Sequence, residues 1–230
     1  MDLLKELTDR KVLAIVRADG PDLAVDCIRA LTEAGITALE VSLTTPGALH
    51  AIARARADSP PGVLIGAGTV LTAEHADLAA AAGASFTVTP GLTPGAPRTT
   101  ALGLPLLCGA LTPSEVIAAL AAGATAVKVF PAAAHGPGYL RDLLAPLPHA
   151  PLVAIGGIDD RSAPDYLAAG ALAVGVGSPL LGDAGSGGDL AGLADRAARL
   201  LRAVRQPGTA TGAAEVPDGT EAATAAGAAR

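Results

Sequence analysis

The chain has 230 residues, half of them apolar and 17% charged, which allows a full hydrophobic core and excludes a largely disordered protein. Sixteen Lys and Arg against twenty-two Asp and Glu leave a net charge of −6, so there is no basic field to hold a nucleic-acid backbone and any anionic ligand must be caught locally. Cys27 and Cys108 fall in a helical and a buried-strand segment with no partner for a disulfide, and His50, His75, His135 and His149 are scattered without zinc-ligand spacing, so no metal is expected.

The N-terminal MDLLKELTDR interleaves charges with leucines, unlike the apolar core of a signal peptide. It predicts an extra helix with Leu3, Leu4 and Leu7 on one stripe, placed to cover the floor of a barrel. Eight β-rich runs follow, at 12–17, 38–43, 64–69, 86–90, 105–110, 126–131, 151–156 and 173–178. Each is bounded by turn residues, and the runs start roughly 20 to 26 residues apart, the length of one strand, one helix and two short loops. Between them Gly35, Gly83, Gly123 and Gly170 stand just past Ala/Leu-rich helical segments, where the C′ glycine of a helix belongs.

Strict alternation of strand and helix predicts a parallel sheet, and eight repeats favour an α/β (β/α)8 TIM barrel with an extra N-terminal helix over an open Rossmann-like sheet. The segment after the first strand, IVRADGPD, lacks the G-x-G-x-x-G that the open alternative would carry. The barrel is expected to occupy residues 1–205. Residues 206–230 contain no Leu, Ile or Phe and are rich in Ala, Gly, Thr and Pro, which predicts a disordered tail. No run reaches membrane-spanning length, and a cytoplasmic enzyme is expected.

Side chains alternate along a strand. In Ala38-Leu39-Glu40-Val41-Ser42-Leu43 the apolar Leu39, Val41 and Leu43 face the helices, so Glu40 and Ser42 point inward. The same reading sends Lys128 and Phe130 into the barrel and puts Arg17 on the face of Leu13 and Ile15. One Lys128–Glu40 ion pair in an arbitrary protein is more often structural, but near the C-terminal ends of barrel strands such groups build active sites. A desolvated lysine is suited to attack a ketone, which arginine is not, and a carboxylate beside it can move protons. Lys128 is therefore the candidate nucleophile and Glu40 the candidate general acid/base. The glycines of AIGGI and VGVGS end the last two strands at Gly156, Gly157 and Gly177, followed by Ser178. Either pair alone fits a tight turn as well, whereas both together at these two strand ends form a phosphate site.

Across residues 10 to 205 the chain resembles the 2-keto-3-deoxy-6-phosphogluconate (KDPG) and 2-keto-4-hydroxyglutarate (KHG) aldolases and their phosphogalactonate relatives. The segments that carry the likeness are LEVSLTTPGAL, IGAGTVLT, VTPGL, GALTPSEV, VKVFPAAAHGPGYL, AIGGI and VGVGSPLL. The resemblance implies a Schiff base on Lys128, with Glu40 as general acid/base and Thr69 holding the pyruvate carboxylate. Pro90 and Phe130 would line the imine pocket, and Gly156, Gly157, Gly177 and Ser178 would bind phosphate. It also implies a homotrimer, no metal or organic cofactor, and release of pyruvate and D-glyceraldehyde 3-phosphate.

Two positions depart from the phosphogluconate pattern. Thr44 stands where many members have an arginine for the substrate carboxylate, a task that Arg17 is expected to take over. Ile155 stands where phosphogluconate-type members have threonine and phosphogalactonate-type members tend to be aliphatic, which opens the choice of C4 epimer. Two other functions compete with the aldolase. A non-catalytic phosphosugar-binding barrel has no need of Lys128 and Glu40, and an isomerase or synthase for an aromatic phosphate would lack stacking partners, with two Tyr, two Phe and no Trp.

Overall fold

A computed structural model describes residues 2–206; the expected tail lies outside the described residues, apart from Gln206. Eight parallel strands close a barrel in sequence order: β1 (Val12–Val16), β2 (Ala38–Ser42), β3 (Leu64–Gly68), β4 (Thr87–Val88), β5 (Leu106–Ala110), β6 (Ala126–Val129), β7 (Leu152–Ile155) and β8 (Ala173–Val176). The last strand returns to the first, with Val12 opposite Val174 and Leu13 opposite Gly175. Helix α1 (Leu3–Arg10) precedes β1, and α2 (Pro21–Glu33), α3 (Ala48–Asp58), α4 (Ala73–Ala81), α5 (Gly95–Ala101), α6 (Pro113–Ala121), α7 (Gly138–Leu144) and α8 (Ala163–Ala168) follow the first seven strands in turn. Short α9 (Ser178–Leu181) and long α10 (Leu190–Ala203) come after β8. The (β/α)8 barrel expected from the alternation is the fold observed.

Local chemistry sets these elements. The Asp2 carboxylate accepts the Lys5 amide at the start of α1, and Thr112 and Glu115 form a reciprocal capping box before α6, with Pro113 in the first turn. Gly35, Gly83, Gly123 and Gly170 all have positive φ, between 82° and 104°, as C′ glycines require. Apart from β5, which ends at Ala110 as expected, the strands end one or two residues earlier than the apolar runs predicted. The reason is backbone geometry at the C-terminal rim: Thr69 and Gly156 turn to φ 61° and 103°, and Pro90 and Pro131 have no amide to give to a ladder. Strand β4 is the shortest for the same reason.

Two apolar layers result. Outward residues such as Leu39, Val41, Val127 and Val129 pack with buried helix residues including Val25, Ile28 and Leu31. Inside the barrel, Leu13, Leu64, Phe86, Val88, Leu107, Val153 and Ile155 meet the small Ala38, Ala126 and Ala173. Leu3 and Leu7 of α1 join this inner cluster, with Leu4 packed against it, so the first helix plugs the end where the strands begin. Leu7 is fully buried there. Leu7→Ala should therefore destabilise the protein by about 2–5 kcal/mol, measured by denaturant unfolding; a loss below about 0.5 kcal/mol would show that the plug contributes little.

Candidate active site

Strands β2 and β6 are four apart in the ring of eight and so face each other across the barrel. Each carries a small residue near its start, Ala38 or Ala126, and two positions later a charge, Glu40 or Lys128. Both charged residues are buried, Glu40 at 1% and Lys128 at 8% exposure. Glu40 sits between Ile15 and Gly66 in register, and Lys128 between Gly109 and Val153. They form no ion pair among the described residues, so the structural salt bridge weighed from the sequence is not made.

Glu40 Oε2 is buried with no hydrogen-bond partner. The carboxylate lies across Gly68, where an added Cβ would overlap it. Desolvation pushes its pKa above the ordinary value, and the charges of Lys128 and Arg17 offset only part of that rise. Lys128 Nζ stands 4.9 Å over the centroid of the Phe130 ring, within cation–π range. Phe130 itself follows the end of β6 and is 41% exposed, so it borders the mouth of the barrel rather than filling its interior.

A chain of polar contacts runs along the rim beside Glu40. Arg17 Nε donates to Thr44 Oγ1 at 3.1 Å, Thr44 Oγ1 lies 2.8 Å from Ser42 Oγ, and Ser42 Oγ lies 3.0 Å from Thr69 Oγ1. The backbone after Arg17 is fixed twice more, by the Ala18 amide on Thr45 Oγ1 at 3.2 Å and the Asp19 amide on the Gly185 carbonyl at 2.9 Å. Arg17 is exposed and forms no ion pair with Glu40 among the described residues. The guanidinium has Thr44 as its polar support.

On the next wall Pro90 is exposed, and its carbonyl passes so close to Gly109 that a Cβ there would overlap it. Ile155 is buried and presses on Gly175, which has room for it only as glycine. Past Ile155 the chain turns at Gly156 and Gly157 with φ 103° and 73°, and the Ala133 amide donates to the Gly156 carbonyl at 3.1 Å. Gly177 and exposed Ser178 open α9, whose Leu180 and Leu181 amides return to the Gly177 carbonyl at 2.9 and 3.0 Å. The Gly157 and Ser178 amides donate to no backbone group in these turns, which leaves N–H groups for an anion.

Every site residue expected from the sequence thus stands at or inside the C-terminal end of the barrel. Sequence reasoning gave no role to Ser42, Thr45, Gly68 or Gly109. The available signal was glycine within a strand, in LIGAG and LLCGA, which marks a close approach by another group; nothing in the residue pattern pairs Ser42 with Thr69.

The buried carboxyl has a consequence for stability. Because the folded state raises the pKa of Glu40, its stabilising effect is complete below the unfolded pKa and is lost as pH rises through the folded one. Glu40→Gln should therefore be more stable than wild type at pH 7–8, with the advantage shrinking as pH falls through the carboxyl's range. Thermal unfolding measured at several pH values would show this, and a variant less stable at pH 8 would contradict it.

The family model described as KDPG and KHG aldolase matches residues 3–191. A probable 2-dehydro-3-deoxy-6-phosphogalactonate aldolase of Rhizobium meliloti is 38% identical over 79% of this chain and 87% of its own length. The 2-dehydro-3-deoxy-6-phosphogalactonate aldolase of Escherichia coli is 35% identical over 86% of this chain and 97% of its own. A solved KDPG aldolase of Legionella pneumophila, with pyruvate captured as a covalent carbinolamine intermediate, superposes with a TM-score of 0.78 at 29% identity, covering 84% of this chain and 95% of that one. With a barrel closed around an inward lysine and carboxylate, and a family match over most of its length, the chain belongs to the KDPG and KHG aldolases, a family of carbon–carbon lyases.

Proposed function

We propose that the chain is a class I aldolase that cleaves a 2-keto-3-deoxy-6-phosphosugar acid to pyruvate and D-glyceraldehyde 3-phosphate through a Schiff base on Lys128. The observation that carries this reading is the placement of Lys128 and Glu40, both buried, on strands that face each other across the closed barrel. The Lys128 amine adds to the C2 ketone, and loss of water gives a protonated imine. Glu40, acting through a water, takes the proton of the C4 hydroxyl. The C3–C4 bond then breaks, its electron pair moves into the imine to form an enamine, and C4 leaves as the aldehyde. Glu40 returns the proton to C3, and hydrolysis frees pyruvate and the amine. The imine is the electron sink, so the step needs no Lewis acid.

The rim divides the substrate between two anion sites. Arg17 and Thr69 take the carboxylate, Pro90 and Phe130 flank the imine, and the turns at Gly156, Gly157, Gly177 and Ser178 take the phosphate. Ile155 presents no hydroxyl to the C4 end, which supports the galactonate epimer, as do the printed names of the Rhizobium and Escherichia relatives. The unphosphorylated 4-hydroxy-2-oxoglutarate shares the pyruvyl half and is a second substrate on this reading. No described helix is long and apolar enough to cross a membrane, and the working location on this reading is the cytoplasm.

Borohydride reduction in the presence of pyruvate should leave one adduct on Lys128, seen by peptide mass spectrometry. Lys128→Arg should abolish both the adduct and cleavage, while Glu40→Gln should lower kcat by about 10²–10⁴-fold. The galactonate epimer should show the higher kcat/KM. Binding of the phosphosugar with no adduct and no pyruvate released would leave the chain a phosphosugar-binding barrel instead.

We infer a homotrimer. Leu71, Leu78, Leu92 and Ile117 are between 40% and 54% exposed on consecutive βα units, and a second copy packed on that side would remove them from water. Sedimentation should give a trimer mass for the wild type and a smaller species for Leu78→Glu combined with Ile117→Glu. A monomeric wild type would overturn the inference.

A further inference from the structure

We propose that Ser42 is a positioning residue for carboxylate recognition: its buried hydroxyl ties the Arg17–Thr44 pair to Thr69 and leaves the Thr69 hydroxyl proton free for the substrate. The proposal rests on the reading that Lys128 receives the pyruvyl end of the substrate. Ser42 is 0% exposed, so it cannot touch substrate and acts only through its two neighbours.

The order of protons in the chain follows from what each group can do. A guanidinium only donates, so Thr44 Oγ1 accepts from Arg17 Nε at 3.1 Å. Ser42 Oγ lies 2.8 Å from Thr44 Oγ1 and 3.0 Å from Thr69 Oγ1, and it accepts the Thr44 amide at 3.4 Å. Two orders satisfy these contacts. In one, Thr44 donates to Ser42 and Ser42 to Thr69, and the Thr69 proton is left over at the site. In the other the sequence reverses, Thr44 accepts twice, and Thr69 turns its lone pairs on any anion. A carboxylate at Thr69 selects the first order, in which every bond points away from the guanidinium and is polarised by it.

The backbone adds a second reason. Thr69 has φ 61°, a left-handed conformation that a β-branched residue adopts only at a cost. This turn carries the hydroxyl toward Ser42 directly beside Gly68, which the Glu40 carboxylate covers. Ser42 therefore joins a strained donor to a charged one, and both face the same end of the substrate.

The test uses pyruvate as the probe and borohydride trapping on Lys128 as the readout, so no phosphorylated substrate is needed. Ser42→Ala should raise the pyruvate concentration for half-maximal trapping by about tenfold, the loss of one to two hydrogen bonds' worth of net binding. The trapping rate at saturation should stay within about twofold. Pyruvamide, which has no carboxylate charge, should show a shift below about twofold, and Ser42→Ala should add less than about twofold in a Thr69→Val background. A pyruvate shift below twofold, a shift as large for pyruvamide, or a full additional shift in the Thr69→Val background would each overturn the proposal. If Ser42→Ala does not fold, Thr44→Val at the exposed rim breaks the same chain and should give about a threefold shift; an unchanged value would overturn it. Failure of the wild type itself to trap pyruvate would defeat the Schiff-base reading first, and is seen before any variant is made.

Discussion

A carboxylate held out of water, with a lysine on the opposite wall of a closed barrel, is the constraint around which the rest of the molecule is arranged. Here eight strands close with β2 facing β6, and the interior of such a barrel is only wide enough for side chains to fill. Both groups must share that space, and one oxygen of Glu40 is left without a partner. Burial opposes its charge while Lys128 and Arg17 favour it, a balance that suits the proton transfer proposed for it.

Room for that chemistry comes from missing side chains. Gly68 clears the ground under the Glu40 carboxylate, Gly109 lets the Pro90 backbone close in beside Lys128, and Gly66 and Gly175 receive Phe86 and Ile155. A Cβ at Gly68 would displace the carboxylate itself rather than a flexible chain end. The small residues on the inner wall thus have two separate uses: Ala38, Ala126 and Ala173 fit the bulk of Leu13, Leu64 and Leu107, while Gly68 and Gly109 shape the site above.

The sequence made the architecture legible because its signals are local and repeated. Helix stops at Gly35, Gly83, Gly123 and Gly170 mark the repeat, and period-two alternation in β2 and β6 places Glu40 and Lys128 inside without any knowledge of the neighbours. Strand ends were less legible, since the ladder stops at particular φ values at Thr69 and Gly156 rather than at a change in hydropathy. The Phe130 ring was expected inside and instead borders the mouth, because β6 ends at Val129 and the alternation rule has no force beyond it. Least legible was the Arg17–Thr44–Ser42–Thr69 chain. It joins three strand ends and depends on rotamers, and serine and threonine at strand ends are too common to indicate a link.

The two ends of the barrel divide stability from function. At the floor, α1 buries Leu3 and Leu7 among Leu13, Ala38 and Leu64, an apolar plug with no charge inside it. At the opposite end the chain accepts a desolvated carboxylate and a threonine at φ 61°, each unfavourable by itself, while Gly156 and Gly157 take φ 103° and 73° with no side chain to oppose them. The parallel barrel allows this division because all its strands run the same way: every strand starts at the plug and ends at the rim. Burial along the length of each strand can then offset local costs such as the left-handed turn at Thr69, just past the end of β3. The same geometry places an aliphatic Ile155, part of the inner apolar cluster, immediately before the Gly156–Gly157 turn, so the packed interior reaches up to the turns proposed to bind phosphate.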